Sequence, residues 1–412
     1  MTNVADPFAV RRPVLAGTWF KAPIARRLVD YALNRAPVNV LFPDGTVGGN
    51  GGPDSETLEI VRPKVFYERL SHNPKIGLGE AYMAGDWRAA EGSDLGAALT
   101  PFAERMTTLV PERIWKLRAV VDKRIPKSQR NSVEGSKRNI GAHYDLSNEM
   151  FASFLDSTMS YSSAMFDDSA AFAEQDLEQA QYRKIDSILD MAAVGVGSRV
   201  LEIGSGWGAL AIRAAQRGAH VTTVTLSEEQ LGLARLRIAE AGLTDRIDIR
   251  LQDYRDVTGQ FDAIVSVEMI EAVGEEYWPT YFAKIDELLA PGGIVAIQAI
   301  LMAHARMMAT RRSWGWIQKY IFPGGLIPSL EAIDSTVVEH TTLRRDDRIE
   351  IGKHYAETLR RWRHRFNDSW GAFSHKGFDE TFRRMWEYYL AYCEAGFESG
   401  YLQVSQLRFT RP

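Results

Sequence analysis

A single cysteine, Cys393, stands in the 412 residues of this chain. One thiol cannot form an internal disulfide, and without a cysteine cluster there is no ligand set for a structural zinc. Such scarcity fits a reducing cytosol. Histidine is also sparse: His354 and His364 lie ten residues apart, with nothing nearby to complete a metal set. Long apolar runs are missing, and no stretch approaches the ~20 residues that a membrane span needs. The N-terminal MTNVADPFAVRRPVLAGTWF lacks the basic start and apolar core of a secretory signal. The expectation is a cytoplasmic protein that meets a membrane only from its inner face. Neither sign of charge dominates, with 49 Lys and Arg against 53 Asp and Glu and a net charge of −4. No global field therefore draws the chain to nucleic acid, and attraction to an anionic surface must be local. Internal repeats and low-complexity segments are absent as well.

What is present is the composition of a soluble globular protein, 45% hydrophobic and 25% charged, in a chain long enough for two or more domains. Residues 1–112 read as a small α+β domain, with a helix in PIARRLVDYALNR and strands in PVNVLF and TLEIVRP. Between those strands, DGTVGGNGGPDSET reads as a hairpin or loop rather than a phosphate cradle, because no helix follows it. Residues 113–140 form a basic linker: from Arg113 to Arg138, nine Lys and Arg stand against Asp122 and Glu134. This stretch reads as a solvated connector, with a patch for phospholipid headgroups as the alternative. Residues 141–412 alternate strand-like runs (RVLEIG, HVTTVTL, IDIRLQD, FDAIVSV, GGIVAIQAI) with amphipathic helical segments. That alternation implies right-handed βαβ crossovers and a mostly parallel sheet, and YLQVSQLRFTRP reads as an added edge strand.

The first of these strands runs into Glu202-Ile-Gly204-Ser-Gly206-Trp-Gly208. In open α/β sheets ligands sit beyond the carboxyl ends of the strands, where strand order reverses. Glycines there let a backbone approach a ligand closely. The spacing is not G-x-G-x-x-G and no G-K-[ST] follows, which disfavours dinucleotides and P-loop nucleotides. A nucleoside carrying a short zwitterion, such as S-adenosylmethionine, fits better. The second strand ends Thr225-Leu226-Ser227 in place of an acid, so hydroxyls, backbone groups and Gln230 must meet the ribose. Asp253 and Tyr254, after the third strand, are placed for the adenine amino group and ring.

Longer blocks add a resemblance. HYDLSNEMFASFLDSTMSYSSAMF (143–166), SVEMIEAVGEEYWPTYF (266–282), YIFPGGLIPS (320–329) and YCEAGFESGYLQVSQ (392–406) resemble the cyclopropane-fatty-acyl-phospholipid and mycolic acid cyclopropane synthases. KIGLGEAYMAGDW (75–87) extends the likeness into the first domain. The resemblance implies a class I S-adenosylmethionine methyltransferase fold of the α/β class, with a Rossmann-like, mostly parallel seven-stranded sheet preceded by the small α+β domain. It also implies transfer of a methyl group to the cis double bond of a phospholipid acyl chain, through a carbocation. Tyr161 and Ser162 would then touch the cofactor, with Gly204, Gly206, Thr225, Leu226 and Gln230. Ser163, Glu271, Gln298, Ile300 and Tyr355 would surround a bound bicarbonate that serves as base, Glu271 orienting it and adding negative potential. Many family members carry Cys in place of Ser163 and His in place of Gln298. A neutral amide cannot change protonation near neutral pH, which bears on the proton lost and on whether a cyclopropane or a methylene branch results.

Some residues carry a plainer reading. Glu268 reads as a helix-start acid beside Glu271, and Cys393, among aromatics, as buried. Ser205 is not a nucleophile elbow, because G-x-S-x-G is absent. Asp145 or Ser147 is a candidate cap for the helix that follows, with His143 and Tyr144 opening the block. The insertion at 301–330 carries Trp314, Trp316, Tyr320 and Phe322, which are expected to line an acyl channel. Arg306, Arg311, Arg312 and Lys319 stand nearby for headgroup phosphates. A small-molecule methyltransferase and an inactive lipid- or S-adenosylmethionine-binding homologue remain the competing readings. A reductase partner follows if the product is a methylene branch, and assembly into a homo-oligomer is left open.

Overall fold

The computed structural model describes residues 22–106, 147–373 and 378–412. The basic stretch 113–140 and His143, Tyr144 and Asp145 lie outside them. The chain gathers into two compact units. One holds the N-terminal segment together with Ser313–Ile321 and Leu359–Tyr401, and the other holds the rest. A single boundary near residue 112 does not describe this division, because two later segments cluster with the N-terminal residues.

The first unit contains a four-stranded sheet of β1 (Asn39–Leu41), β2 (Val47–Gly49), β3 (Thr57–Ile60) and β4 (Trp87–Ala89), in the order β2-β1-β3-β4. The glycine-rich segment is a hairpin: β1 and β2 pair antiparallel, and Gly45 takes φ 82° in the turn. The Asp44 carboxylate fixes that turn by accepting from the Thr46 amide and hydroxyl at 3.0 and 2.6 Å. Helices Pro63–His72 and Pro74–Met83 each begin with proline, whose missing N–H costs nothing in a first turn. Asn73 ends one helix and caps the next, its side chain accepting from the amides of Lys75 and Ile76.

The long helix Glu380–Glu398 packs against Pro74–Met83 and Leu95–Glu104. Glu394 on that helix is 2% exposed and is neutralised by Arg360 and Arg363, the latter also gripping Asp94 at 2.7 Å. Charge buried in this way is tolerated only when paired.

Trp316 belongs to this unit, and here the channel expectation is corrected. Its helix, Trp316–Tyr320, lays the indole over Gly79, where a Cβ would come within 2.5 Å of the ring. Tyr388 meets the same ring edge-on at 4.9 Å, and Trp316 is 4% exposed. It is a core residue, admitted by a glycine. Tyr320 donates its hydroxyl to Glu80 at 2.8 Å, and Lys319 pairs with the same carboxylate. Replacing Trp316 with alanine should destabilise the protein by about 3–5 kcal/mol, the usual cost of emptying a buried tryptophan site. Denaturant unfolding checks this, and a loss under 1 kcal/mol would contradict a core role.

The second unit is built on a seven-stranded sheet of β5 (Arg199–Ile203), β6 (His220–Thr225), β7 (Ile247–Leu251), β8 (Phe261–Val267), β9 (Leu289–Met302), β10 (Arg344–Glu350) and β11 (Leu402–Thr410). Their order is β10-β11-β9-β8-β5-β6-β7, and only β11 runs antiparallel to its neighbours. The apolar runs feed two cores. Val200, Ala263, Val265 and Ala296 pack with helices Leu177–Met191, Ala209–Gln216 and Glu228–Glu240. Leu201, Ile203, Ile264, Val295 and Ile297 pack on the other side with Trp278–Leu288 and Leu330–His340. Alternating side chains that are apolar on both faces are what a parallel sheet buried between helices requires.

Two strand expectations change. YLQVSQLRFTRP is an internal strand, lying between β9 and β10, with Val404, Ser405, Gln406, Leu407 and Phe409 buried. The true edge is RRDDRIE, whose charged sequence gives no apolar alternation to read. The chain turns outward to both sides from β5, and the switch point lies between β5 and β8.

Candidate active site

A cavity opens at that switch point. Gly204, Gly206, Thr225, Leu226, Gln230, Asp253, Tyr254, Tyr161 and Ser162 all line it, so every residue expected to meet the cofactor is brought to one place. Gly204, Gly206 and Gly208 take φ of 98°, 48° and 88°, a region open to glycine and strained for other residues. A Cβ on Gly204 would lie 2.6 Å from Met269, whereas one on Gly206 would meet nothing within 4 Å. The backbone at Gly206 is therefore bare beside the cavity, a cradle that fits a ligand lying across the turn. Gly208 opens the helix Ala209–Gln216.

The walls hold polar groups in fixed directions. Thr225 donates to the Gln230 side-chain carbonyl at 2.9 Å, and Ser227 caps the helix that carries Gln230. Asp253 is held by the Arg255 guanidinium through contacts of 2.8 and 2.6 Å. The Thr223 hydroxyl donates to Glu202 at 2.6 Å and lies 2.7 Å from the Ser205 hydroxyl. Burial pushes the Glu202 carboxyl up to about 8. Lys184, 3% exposed, reaches the cavity from the helix Leu177–Met191 and donates to the Ser162 hydroxyl at 2.7 Å. Burial draws its ammonium down to about 8, while Glu268, Asp156 and Glu202 pull the other way.

Ser163, Gln298 and Tyr355 converge as expected, but on a residue that the sequence reading passed over. The Ser163 amide and the Gln298 side-chain amide both donate to Oε1 of Glu268 at 2.9 Å, and the Tyr355 hydroxyl donates to Oε2 at 3.0 Å. Glu268 sits at the cavity wall with φ 51°, left-handed backbone that a non-glycine residue holds at a cost of order 1–3 kcal/mol. Burial raises its pKa, and the three donors and the charge of Lys184 draw it back. The Ile300 amide donates to Oε1 of Glu271, whose Oε2 is buried without a partner. Burial first, and the neighbouring Glu268 second, push the Glu271 carboxyl up to about 8.

These contacts bear on bicarbonate. The Ser163 and Tyr355 donors are committed to Glu268 and the Ile300 amide to Glu271, so the set does not fit a separate anion. Burial also weakens the negative potential expected of Glu271, since a carboxyl pushed up to about 8 holds its proton more tightly than a free one. Glu268, on which these donors converge, is the residue that sequence reasoning missed. The available signal was a charged residue directly after the apolar strand FDAIVSV, at the strand end where ligands bind. Trp314, Trp316, Tyr320 and Phe322 do not line this cavity.

A doubly wound sheet with a bare glycine turn at its switch point, and no dinucleotide or P-loop spacing, defines the S-adenosylmethionine-dependent methyltransferase class. The chain belongs to the mycolic acid cyclopropane synthetase family, whose model matches residues 131–407. It is 51% identical over 404 residues to the tuberculostearic acid methyltransferase UfaA1 of Mycobacterium tuberculosis, covering 97% of this chain and 93% of that one. It is 34% identical over 389 residues to the cyclopropane-fatty-acyl-phospholipid synthase of Escherichia coli, covering 93% of each. Among solved structures, the mycolic acid cyclopropane synthase CmaA1 complexed with SAH and CTAB superposes with a TM-score of 0.60 at 27% identity, covering 66% of this chain and 97% of that one.

The raised Glu271 pKa has a measurable consequence. Between its ordinary 4.5 and about 8, the folded protein holds this proton while the unfolded chain releases it, so this group's contribution to stability falls as pH rises through that window. Glu271→Gln removes the titration. The variant should therefore gain stability over the parent progressively from about pH 5 to about pH 8 and level off above. Thermal melts across that range test it, and a pH-independent difference would refute it.

Proposed function

We propose that this protein transfers the methyl group of S-adenosylmethionine to the cis double bond of unsaturated acyl chains in membrane phospholipids, and that Glu268 is the base. The observation that carries the reading is the Glu268 carboxylate on the cavity wall, held by Ser163, Gln298 and Tyr355. The 51% identity to a tuberculostearic acid methyltransferase supports a branched product.

S-adenosylmethionine, when bound, supplies an electrophilic methyl group on sulfur. The glycine turn and Gln230, with Tyr161, Ser162, Thr225 and Leu226, hold it, and Asp253 and Tyr254 face the adenine. As the alkene takes the methyl group, a carbon–carbon bond forms, a carbon–sulfur bond breaks and the adjacent chain carbon becomes cationic. The carboxylate of Glu268, fixed by its donors before the charge develops, stabilises the cation and then takes the proton. Glu271 beside it, its carboxyl pushed up to about 8 by burial, holds its proton more tightly than a free carboxyl.

Both products draw this proton from the transferred methyl group. Direct loss closes a cyclopropane. If hydride first migrates from the methylated carbon to the cationic one, loss from the same methyl leaves a methylene branch. The choice therefore lies in the lifetime of the cation, and not in which proton is lost, as the sequence alone suggested. Gln298, a neutral donor, leaves Glu268 the only formal charge this pair presents, and we assign the methylene product. A methyl branch would then require a separate reductase. We place access to phospholipid at the membrane surface; no helix among the described residues is long and apolar enough to cross a bilayer.

Incubation with oleoyl phospholipid vesicles and methyl-labelled S-adenosylmethionine, followed by mass spectrometry and proton NMR, tests this. Vinylidene protons are expected. High-field cyclopropane protons would overturn the product assignment, and absence of labelled lipid would overturn the substrate. Glu268→Gln should lower turnover by about 10²–10⁴-fold, the usual share of a general base, with cofactor affinity little changed.

A further inference from the structure

We propose that Gln406 is a positioning residue that sets the direction of the Gln298 amide and so holds Glu268 ready as a base; the inference rests on the role given to Glu268 above. Gln406 and Gln298 face each other in register on the antiparallel strands β11 and β9, and both are fully buried. The Gln406 side-chain nitrogen donates to the backbone carbonyl of Lys184 and to the side-chain carbonyl of Gln298, each at 3.1 Å. Its oxygen accepts from the Ser187 hydroxyl at 2.7 Å.

An isolated glutamine amide can turn over with little penalty, since its two ends have the same shape. This one cannot. A backbone carbonyl only accepts, so the end of Gln406 that faces Lys184 must be nitrogen. The same nitrogen meets Gln298, which must therefore present its oxygen to Gln406 and its nitrogen to Glu268. A reversed Gln298 would set two NH2 groups against each other and a carbonyl against a carboxylate. The polarity of the chain from Lys184 through Gln406 and Gln298 to Glu268 is thus fixed at one end by a peptide carbonyl on the helix Leu177–Met191 and at the other by the carboxylate. Where a histidine in place of Gln298 would orient itself by tautomer and charge, the amide is held by hydrogen bonds at both ends, and Gln406 supplies the one that aims its nitrogen at Glu268.

The test compares full-length Gln406→Met, Gln406→Glu, Gln298→Met and the Gln298→Met/Gln406→Met double variant in the labelled-methyl assay, with Glu268→Gln alongside. Gln406→Met removes the reference, and Gln406→Glu keeps the shape while losing donors, so one remains informative if the other does not fold. Each single Gln406 variant should lower kcat on the order of tenfold, the scale of one misdirected hydrogen bond to a charged group. KM for S-adenosylmethionine should be unchanged, and the acidic limb of the pH–rate profile should move to higher pH, because the ionised carboxylate has lost a donor. The double variant should match Gln298→Met alone, because Gln406 acts through Gln298.

Wild-type kcat and pH profile in both Gln406 variants would overturn the proposal. So would a double variant slower than Gln298→Met by the full Gln406 effect. If Glu268→Gln keeps wild-type turnover, the base assignment itself has failed; if it is inactive while the Gln406 variants are normal, only the positioning role has.

Discussion

The constraint on which the site depends is a carboxylate set into a cavity wall and held there by the protein's own donors. Glu268 follows β8 in a backbone conformation better suited to glycine, and its carboxyl is met within the protein by three hydrogen-bond donors and the field of one buried lysine. Each donor comes from a different part of the chain: the loop holding Ser163, strand β9 and the helix Gly352–Phe373. An uncompensated charge at this depth is held less easily, and burial accordingly pushes the Glu271 carboxyl, three residues later, up to about 8. Two glutamates of the same sequence segment thus differ in their partners: burial raises both, three donors draw Glu268 back, and Glu271 receives backbone amides alone.

This division of labour was only half visible in the sequence. The parallel strands, the glycine turn and the cavity's strand-end polar residues could be read because each follows from local pattern: apolar runs of fixed length, φ values open to glycine, polar residues at strand ends. Ser163, Gln298 and Tyr355 could be named through family resemblance. What they hold could not, because it depends on the direction of three donors separated by nearly two hundred residues. A positive φ at Glu268 has no sequence mark either. Trp316 misled for a related reason: an aromatic after a strand looks the same whether it faces a ligand or a glycine. Gly79, the residue that decides between them, stands far upstream.

The boundary between units was hidden for a topological reason. The segments Ser313–Ile321 and Leu359–Tyr401 follow the catalytic strands in sequence and cluster with the first residues in space. Composition changes little along them, so no linker announces the crossing. β10 escaped because strand reading relies on apolar alternation, which a peripheral strand can do without.

That same strand has a consequence for how the protein behaves in a crowd. Six of the seven residues of Arg344–Glu350 are charged, and they form one border of the large sheet. The other border, Ile247–Leu251, is five residues long and carries Asp248 and Arg250. An open sheet offers unpaired peptide groups along both margins to any neighbouring chain. Here a second molecule aligning on either margin would have to bring charge against charge out of water. The sheet thus carries its own protection against growing from one molecule into the next.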